Sequence, residues 1–266
     1  MKPLTPCSQY RLPGCRKVLV VEDVEMNQVL LKQIIESWGI EVEVAGNGRL
    51  ALEKIGEKKY DLILMDIQMP EMDGMEATRR IRNMNDKSKA LVPIVAVTAN
   101  LLKGDSEKYL AAGMNGYIAK PIEERKLFTL LSGNFPSEND MHGSNGVIPD
   151  PDNALYDLSL VKAISGGDEA FVKSMILLFL ETVPLILDQM QSASHSHDWE
   201  LTSKLAHKLK STIDSMSIFQ LQDLIRKIEA DGKKGENVEQ IPGDVRQLHR
   251  GMQECIAQVK SDFGLS

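Results

Sequence analysis

The segment DLILMDIQMPEMDG, residues 61–74, decides the architecture of the first half of the chain. Its apolar run LILM ends at Asp66, and a run without polar alternation is typical of a strand buried on both faces of a parallel sheet. The following Pro70 and Gly74 mark a turn before the next helical pattern. Ligands of such sheets bind at the carboxyl ends of the strands, so Asp66 is a candidate site residue.

The same alternation extends on both sides of this segment. Between residues 17 and 131, four further strand patterns, KVLVVED, EVEVA, PIVAVTAN and GYIAK, alternate with helical patterns. Five strand–helix repeats predict an α/β domain, with a parallel sheet, helices on both faces and right-handed crossovers.

Polar side chains stand at four strand ends of this predicted sheet. Glu22 and Asp23 follow strand 1, Asp66 ends strand 3, Thr98 ends strand 4 and Lys120 follows strand 5. Taken singly, such residues cap helices or face solvent. Three converging carboxylates would repel one another unless a cation lay among them, and hard oxygen ligands suit Mg²⁺. We therefore predict a magnesium site at this edge.

The pattern changes after residue 132, where the segment SGNFPSENDMHGSNGVIPDPDNA has the composition of a linker. Only helical patterns follow, which predicts an all-α four-helix bundle. Pro184 is expected to kink or break the longest of them. The predicted organisation is a tail over residues 1–15, a first domain over 16–132, a flexible linker over 133–155 and the bundle over 156–266.

The bundle contains LAHKLKSTIDSM, residues 205–216, with one histidine on an amphipathic helix. Leu205 and Leu209 lie on its apolar face, whereas His207 falls on the opposite, solvent-facing side near Ser203 and Ser211. A lone surface histidine usually has no role, and this helix alone leaves that interpretation open.

Composition restricts the function classes. A formal net charge of −7 over 266 residues argues against a nucleic-acid partner. The N-terminus lacks the apolar region of a signal peptide, and the apolar runs are too short to predict membrane insertion. Three cysteines without framework spacing favour a reducing compartment, so we predict a cytoplasmic protein.

The segments VLVVED, DLILMDIQMPEMDG, VTAN and YIAKPI resemble the receiver domain of two-component response regulators, which has a flavodoxin-like fold. The resemblance implies that Asp66 accepts a phosphoryl group and catalyses this step itself. It also implies roles for the neighbouring positions: Mg²⁺ ligands Glu22, Asp23, Asp66 and the backbone carbonyl of Gln68; phosphoryl contacts Lys120 and Thr98; and a switch aromatic, Tyr117. For Tyr117 an ordinary interfacial strand residue is the alternative.

The second domain resembles the histidine phosphotransfer (Hpt) domain through His207, Leu209, Lys210 and Ser211. The resemblance implies that His207 accepts a phosphoryl group and that Lys210 steadies its charge. Small Ser203 and Ser211 are expected to leave room for a partner. Family members commonly have Gly at the positions of Ser211 and Ser217.

Together these resemblances imply a phosphorelay intermediate whose partners are a sensor histidine kinase and a further response regulator. The alternative is a receiver-controlled module whose helical domain docks or dimerises without phosphotransfer. The sequence contains no Gly-rich phosphate loop of an ATP-dependent kinase. The initial methionine favours a separate product over a fragment of a hybrid kinase, without deciding between them. Contact between the domains is expected through four receiver residues: Met26, Asn27, Leu30 and Pro121.

Overall fold

The computed structural model describes residues 17–98, 105–120, 122–131 and 155–265. The chain divides into two compact units, with the boundary between Ile148 and Pro149. The predicted tail and nearly all of the predicted linker lie outside the described residues, so the domain limits stay predictions.

The described residues of the first unit form five strands and six helices, which alternate except that the third and fourth helices follow each other. They are β1 (Lys17–Val21), α1 (Glu25–Ser37), β2 (Glu41–Ala45), α2 (Gly48–Glu57), β3 (Leu62–Asp66), α3 (Gly74–Arg82), α4 (Lys87–Ala90), β4 (Ile94–Thr98), α5 (Asp105–Ala111), β5 (Gly116–Ala119) and α6 (Glu124–Leu131).

All strand pairs are parallel, in the order β2-β1-β3-β4-β5. Every residue of β3 and β4 is buried, which explains why these strands read as continuous apolar runs. In the register, Asp66 pairs with Val97, and Thr98 pairs with Ala119. The strand ends that carry polar side chains therefore lie at one edge, and the predicted flavodoxin-like fold is confirmed.

One short helix was missed by the periodicity. The helix α4 has four residues, and its N-cap Asp86 accepts a hydrogen bond from the backbone N–H of Ser88. An apolar repeat needs more than one turn to be recognised, so only the cap signals this element.

The second unit is wholly helical among residues 155–265, as predicted. Its helices are α7 (Ser159–Ser165), α8 (Glu169–His195), α9 (Trp199–Ser215), α10 (Phe219–Lys234) and α11 (Ile241–Asp262). The four long helices pack α8 on α9, α9 on α10, α10 on α11 and α11 on α8. Phe179, Leu209, Ile228 and Leu248 are among the fully buried side chains of this core. This is the predicted four-helix bundle.

Pro184 lies inside α8, which continues through it to His195. The prediction that this proline breaks the helix is wrong, and a kink stays a prediction. Val183 and Leu187 beside it are buried, and their burial offsets the loss of one backbone hydrogen bond.

The helix α8 also bears on membrane insertion. In the described part of the chain it is the one helix whose length and hydropathy would allow it to cross a bilayer. The core helix of a bundle has the same composition, and ten α8 side chains, Phe179 and Met175 among them, are buried here.

Candidate functional site

Three carboxylates converge at the carboxyl edge of the sheet. Glu22 and Asp23 directly follow β1, and Asp66 is the last residue of β3. Each offers an oxygen within 4.8 Å of the others, and Glu22 and Asp66 are only 1% and 2% exposed. Buried carboxylates at this spacing need positive charge between them.

Lys120 supplies part of that charge. Its Nζ lies 2.7 Å from Oε2 of Glu22 and 2.5 Å from Oδ2 of Asp66. The lysine follows β5, and its backbone N–H donates to the carbonyl of Thr98, which anchors it to β4. One ammonium faces three carboxylates, so the donor set fits a hard divalent cation such as Mg²⁺.

The electrostatics of Asp66 follow from this crowding. Burial raises the pKa of its carboxyl well above the usual range, and repulsion from Glu22 adds to the effect. The charge of Lys120 and the backbone N–H of Gln68, 3.1 Å from Oδ1, act in the opposite direction without cancelling it. Additional positive charge would favour the ionised, nucleophilic form.

The glycine at position 74 permits the tight turn after Asp66. A Cβ on Gly74 would lie 2.0 Å from the carbonyl oxygen of Asp66, so no other residue fits without moving the backbone. The backbone N–H of Gly74 donates to the carbonyl of Ile67, which closes the turn. This turn carries Gln68, the predicted carbonyl ligand.

Three of the residues predicted to form a contact surface between the domains are buried inside the first unit. Met26 and Leu30 are 3% and 6% exposed, because this face of α1 packs on the sheet. Asn27 is also buried, and its Nδ2 donates to Oε1 of Glu22 at 3.0 Å. The prediction of a docking patch made of these side chains is therefore wrong: two are core residues, and Asn27 orients Glu22. Pro121 lies outside the described residues.

Two tyrosines adjoin Thr98. The side chain of Thr98 is buried, and its Oγ1 accepts a hydrogen bond from the hydroxyl of Tyr109 at 3.3 Å. The ring of Tyr109 packs against Tyr117, with 6.4 Å between the ring centroids. Tyr117 is half-buried on β5. Tyr109 carries no sequence signal of a functional site, because an aromatic residue on a helix ordinarily indicates core packing.

The second candidate nucleophile, His207, lies on α9. Its Nδ1 is 2.6 Å from Oε1 of Glu229 on α10, and its side chain is 12% exposed. The prediction of a solvent-facing histidine is thus corrected, because most of the side chain is covered and it contacts α10 through Glu229. Glu229 lies 22 positions away in the sequence, so helix periodicity gave no signal for this pair.

Glu229 also binds Lys210, whose Nζ lies 2.5 Å from its Oε2. Burial alone would raise the pKa of Glu229, but hydrogen bonds from His207 and Lys210 outweigh burial and lower it to about 2. The carboxylate is therefore ionised at neutral pH, and it holds the imidazole and the ammonium on either side.

Small residues allow α9 and α10 to approach each other closely. Ser203 donates to the carbonyl of Glu229 at 2.8 Å, and a Cβ on Gly232 would lie 3.1 Å from the Cβ of Ser203. Ser203 and Ser211 are both buried. The small size of Ser203 serves packing within the bundle, and the expectation that the two serines leave room for a partner stays a prediction. Ser217 has a φ of 50°, a left-handed conformation that explains the usual preference for Gly there.

Both halves of the chain match known protein domains. Residues 18–132 match the response regulator receiver domain, and residues 174–262 match the Hpt domain. The signal transduction histidine-protein kinase BarA of Escherichia coli (strain K12) is 30% identical over 252 residues, 93% of this chain and 27% of that protein.

The aerobic respiration control sensor protein ArcB of Escherichia coli (strain K12) is 28% identical over 218 residues, 80% of this chain and 27% of that protein. The chain thus spans about a quarter of the length of these curated relatives. A solved receiver domain of a Pseudomonas aeruginosa PAO1 sensor histidine kinase, described with magnesium in its active site cleft, is 39% identical; the match covers 47% of this chain and 100% of that one, with a TM-score of 0.42.

The two domain matches fall on the two structural units, one with the carboxylate cluster and one with the paired histidine. The chain therefore belongs to the response regulator receiver family in residues 18–132 and to the Hpt family in residues 174–262.

Proposed function

We propose that this chain is a phosphorelay intermediate in which Asp66 accepts a phosphoryl group from a phosphohistidine and exchanges it with His207. The observation that carries the proposal is common to both sites. In each site, one charged side chain holds the candidate nucleophile together with a second charged side chain. Lys120 contacts both Asp66 and Glu22, and Glu229 contacts both His207 and Lys210.

At Asp66, an oxygen–phosphorus bond forms as the nitrogen–phosphorus bond of the donor breaks, and the donor imidazole leaves with the electron pair. Charge on the transferring oxygens is stabilised by groups in fixed positions. Lys120 is one such group, and the hydroxyl of Thr98 becomes the second when it turns to the phosphoryl group. Glu22, Asp23, Asp66 and the carbonyl of Gln68 would hold Mg²⁺, which neutralises charge on the phosphoryl oxygens when bound.

At His207, the contact with Glu229 selects the tautomer. An ionised carboxylate accepts a hydrogen bond, so the proton of the neutral ring is held on Nδ1. The lone pair is then on Nε2, which attacks phosphorus as the bond to the Asp66 carboxylate breaks. Lys210 balances the charge of Glu229. It also lies about one helical turn after His207 on α9, so its ammonium can steady the charge of the phosphoryl group.

The partners implied are a sensor histidine kinase upstream and a further response regulator downstream, without nucleic acid or membrane insertion and in the cytoplasm. Because the chain spans about a quarter of its curated relatives, these partners rest on the domain types alone.

The test incubates the full chain with labelled acetyl phosphate and Mg²⁺ and divides the label by chemical stability. An acyl phosphate at Asp66 is base-labile, whereas phosphohistidine at His207 is acid-labile. We expect both kinds in the wild type. A chain that folds and takes neither label would instead support the interaction module that works without phosphotransfer.

Exchange within one chain is tested by dilution. An equal mixture of Asp66→Asn and His207→Gln chains transfers phosphate only between molecules, so its phosphohistidine yield should fall with dilution. Wild-type transfer should be independent of concentration, because a tethered partner has an effective concentration on the order of mM. Equal dilution curves would refute transfer in cis and leave exchange between separate molecules.

A further inference from the structure

We propose that Tyr109 is a positioning residue that holds Thr98 in the resting receiver and opposes phosphorylation of Asp66. The inference rests on the proposed function, since it concerns the same reaction, and it assigns a role that neither the motifs nor the domain matches give to this residue.

The first argument is the buried contact itself. Tyr109 and Thr98 are each 5% exposed, and the hydroxyl of Tyr109 donates to Oγ1 of Thr98 at 3.3 Å. A phenolic hydroxyl removed from water requires a partner, and losing that partner costs free energy. The contact therefore favours the side-chain position of Thr98 that lies within reach of α5.

The second argument is the geometry of threonine. A change from one staggered χ1 rotamer to another moves Oγ1 of Thr98 by about 2 Å. This movement is enough to break a hydrogen bond that is already 3.3 Å long. A change of rotamer that turned the Thr98 hydroxyl to a phosphoryl group on Asp66 would thus break this hydrogen bond. This hydrogen bond therefore stabilises the resting receiver and does not stabilise the phosphorylated one.

The third argument is the connection to Tyr117. The ring of Tyr109 is tilted by 58° against that of Tyr117, with 6.4 Å between their centroids. Tyr109 therefore contacts Thr98, for which the resemblance implies a phosphoryl contact, and Tyr117, for which it implies a switch. A movement of Thr98 reaches the half-buried Tyr117 through this ring, and direct contact between Thr98 and Tyr117 is not required.

The experiment measures the initial rate of base-labile labelling of the full chain by acetyl phosphate in Mg²⁺. Tyr109→Phe keeps the ring and removes the hydroxyl. We expect its labelling to be about 2- to 5-fold faster than the wild type, the lower part of the range for one neutral hydrogen bond. The matched control is Tyr60→Phe, which removes another largely buried hydroxyl, bonded to Glu43 on β2, and should leave the rate unchanged.

Thr98→Ala provides the second arm. In that background Tyr109→Phe should no longer accelerate labelling, because the acceptor of the hydrogen bond is absent. An equal acceleration in both backgrounds, or a slower rate for Tyr109→Phe alone, overturns the inference. A merely structural role predicts slower labelling, since loss of structure does not accelerate the reaction.

Beryllium fluoride with Mg²⁺, a phosphoryl analogue, gives a second measurement that needs no covalent step. Tyr109→Phe should bind it about 2- to 5-fold more tightly, and unchanged or weaker binding contradicts the inference. The proposed function fails separately: a folded wild type that takes no label refutes both, whereas normal wild-type labelling without the Tyr109 effect refutes only this inference.

Discussion

The two candidate nucleophiles lie in clusters that differ in charge balance. Around Asp66, three carboxylates face the ammonium of Lys120, so that full ionisation of the carboxylates would leave two negative charges in excess. Around His207, the carboxylate of Glu229 is matched by the ammonium of Lys210. The nearby Asp214 is matched by Arg226. The difference indicates why the receiver site fits a divalent cation, while the bundle site is neutral without one.

The largest expected effect is the loss of one nucleophile at a time. Asp66→Asn should abolish base-labile labelling by acetyl phosphate, because an amide does not form an acyl phosphate, and His207→Gln should abolish acid-labile labelling only. Asp61→Asn is the matched receiver control, since Asp61 caps the backbone of Lys17 instead. Base-labile label surviving Asp66→Asn at the wild-type level would contradict the assignment.

Removal of metal should affect the labelling rates of the two clusters very differently. With EDTA, the His207→Gln chain should lose at least about 100-fold in its labelling rate by acetyl phosphate, the scale for one lost electrostatic stabiliser. The Asp66→Asn chain, labelled directly on His207 by phosphoramidate, should change by less than about 2-fold, because the bundle cluster is neutral by itself. An equal EDTA effect on both chains would mean that the charge difference does not govern metal dependence.

The contact between His207 and Glu229 should have a smaller effect. Glu229→Ala removes a charge-assisted hydrogen bond and should slow labelling of His207 by phosphoramidate about 10-fold or more. The control is Glu200→Ala on α9, where the lost carboxylate is exposed and paired with Lys204. If the two variants reacted at the same rate, Glu229 would have no part in positioning the imidazole.

The smallest effect concerns stability in acid. Against the opposing effect of burial, hydrogen bonds from His207 and Lys210 lower the pKa of Glu229 from the ordinary 4.5 to about 2 in the folded bundle, so its ionised form stabilises the fold above pH 4.5. That stabilisation is lost as the pH falls from 4.5 towards 2, by about 1–2 kcal/mol after solvent screening.

The measurement is urea unfolding at pH 5 and pH 3, followed by the fluorescence of Trp199 in a Trp38→Phe background. Glu229→Gln should weaken the acid dependence, whereas Glu200→Gln should retain it. An identical pH dependence in all three chains would show that the buried carboxylate does not titrate in this window.

Much of the fold was predictable because its signals are local. Buried parallel strands such as β3 and β4 require continuous apolar runs, and long bundle helices require a repeated apolar stripe. The ends of the strands then bring Glu22, Asp66 and Lys120 to one edge. The four-residue α4 and the continuity of α8 through Pro184 were not predictable, because a cap and the surrounding packing decide them.

The sequence by itself identified the two candidate nucleophiles, Asp66 and His207, through residue type and position within recognisable motifs. Only the tertiary structure decided what surrounds them. Glu229 on α10 contacts His207 on the neighbouring α9, 22 residues away in the sequence. Tyr109 on α5 contacts Thr98 on β4, 11 residues away. The physical reason is that contacts between elements depend on how closely and in what register they pack, as small Ser203 and Gly232 permit here, and an apolar repeat specifies neither.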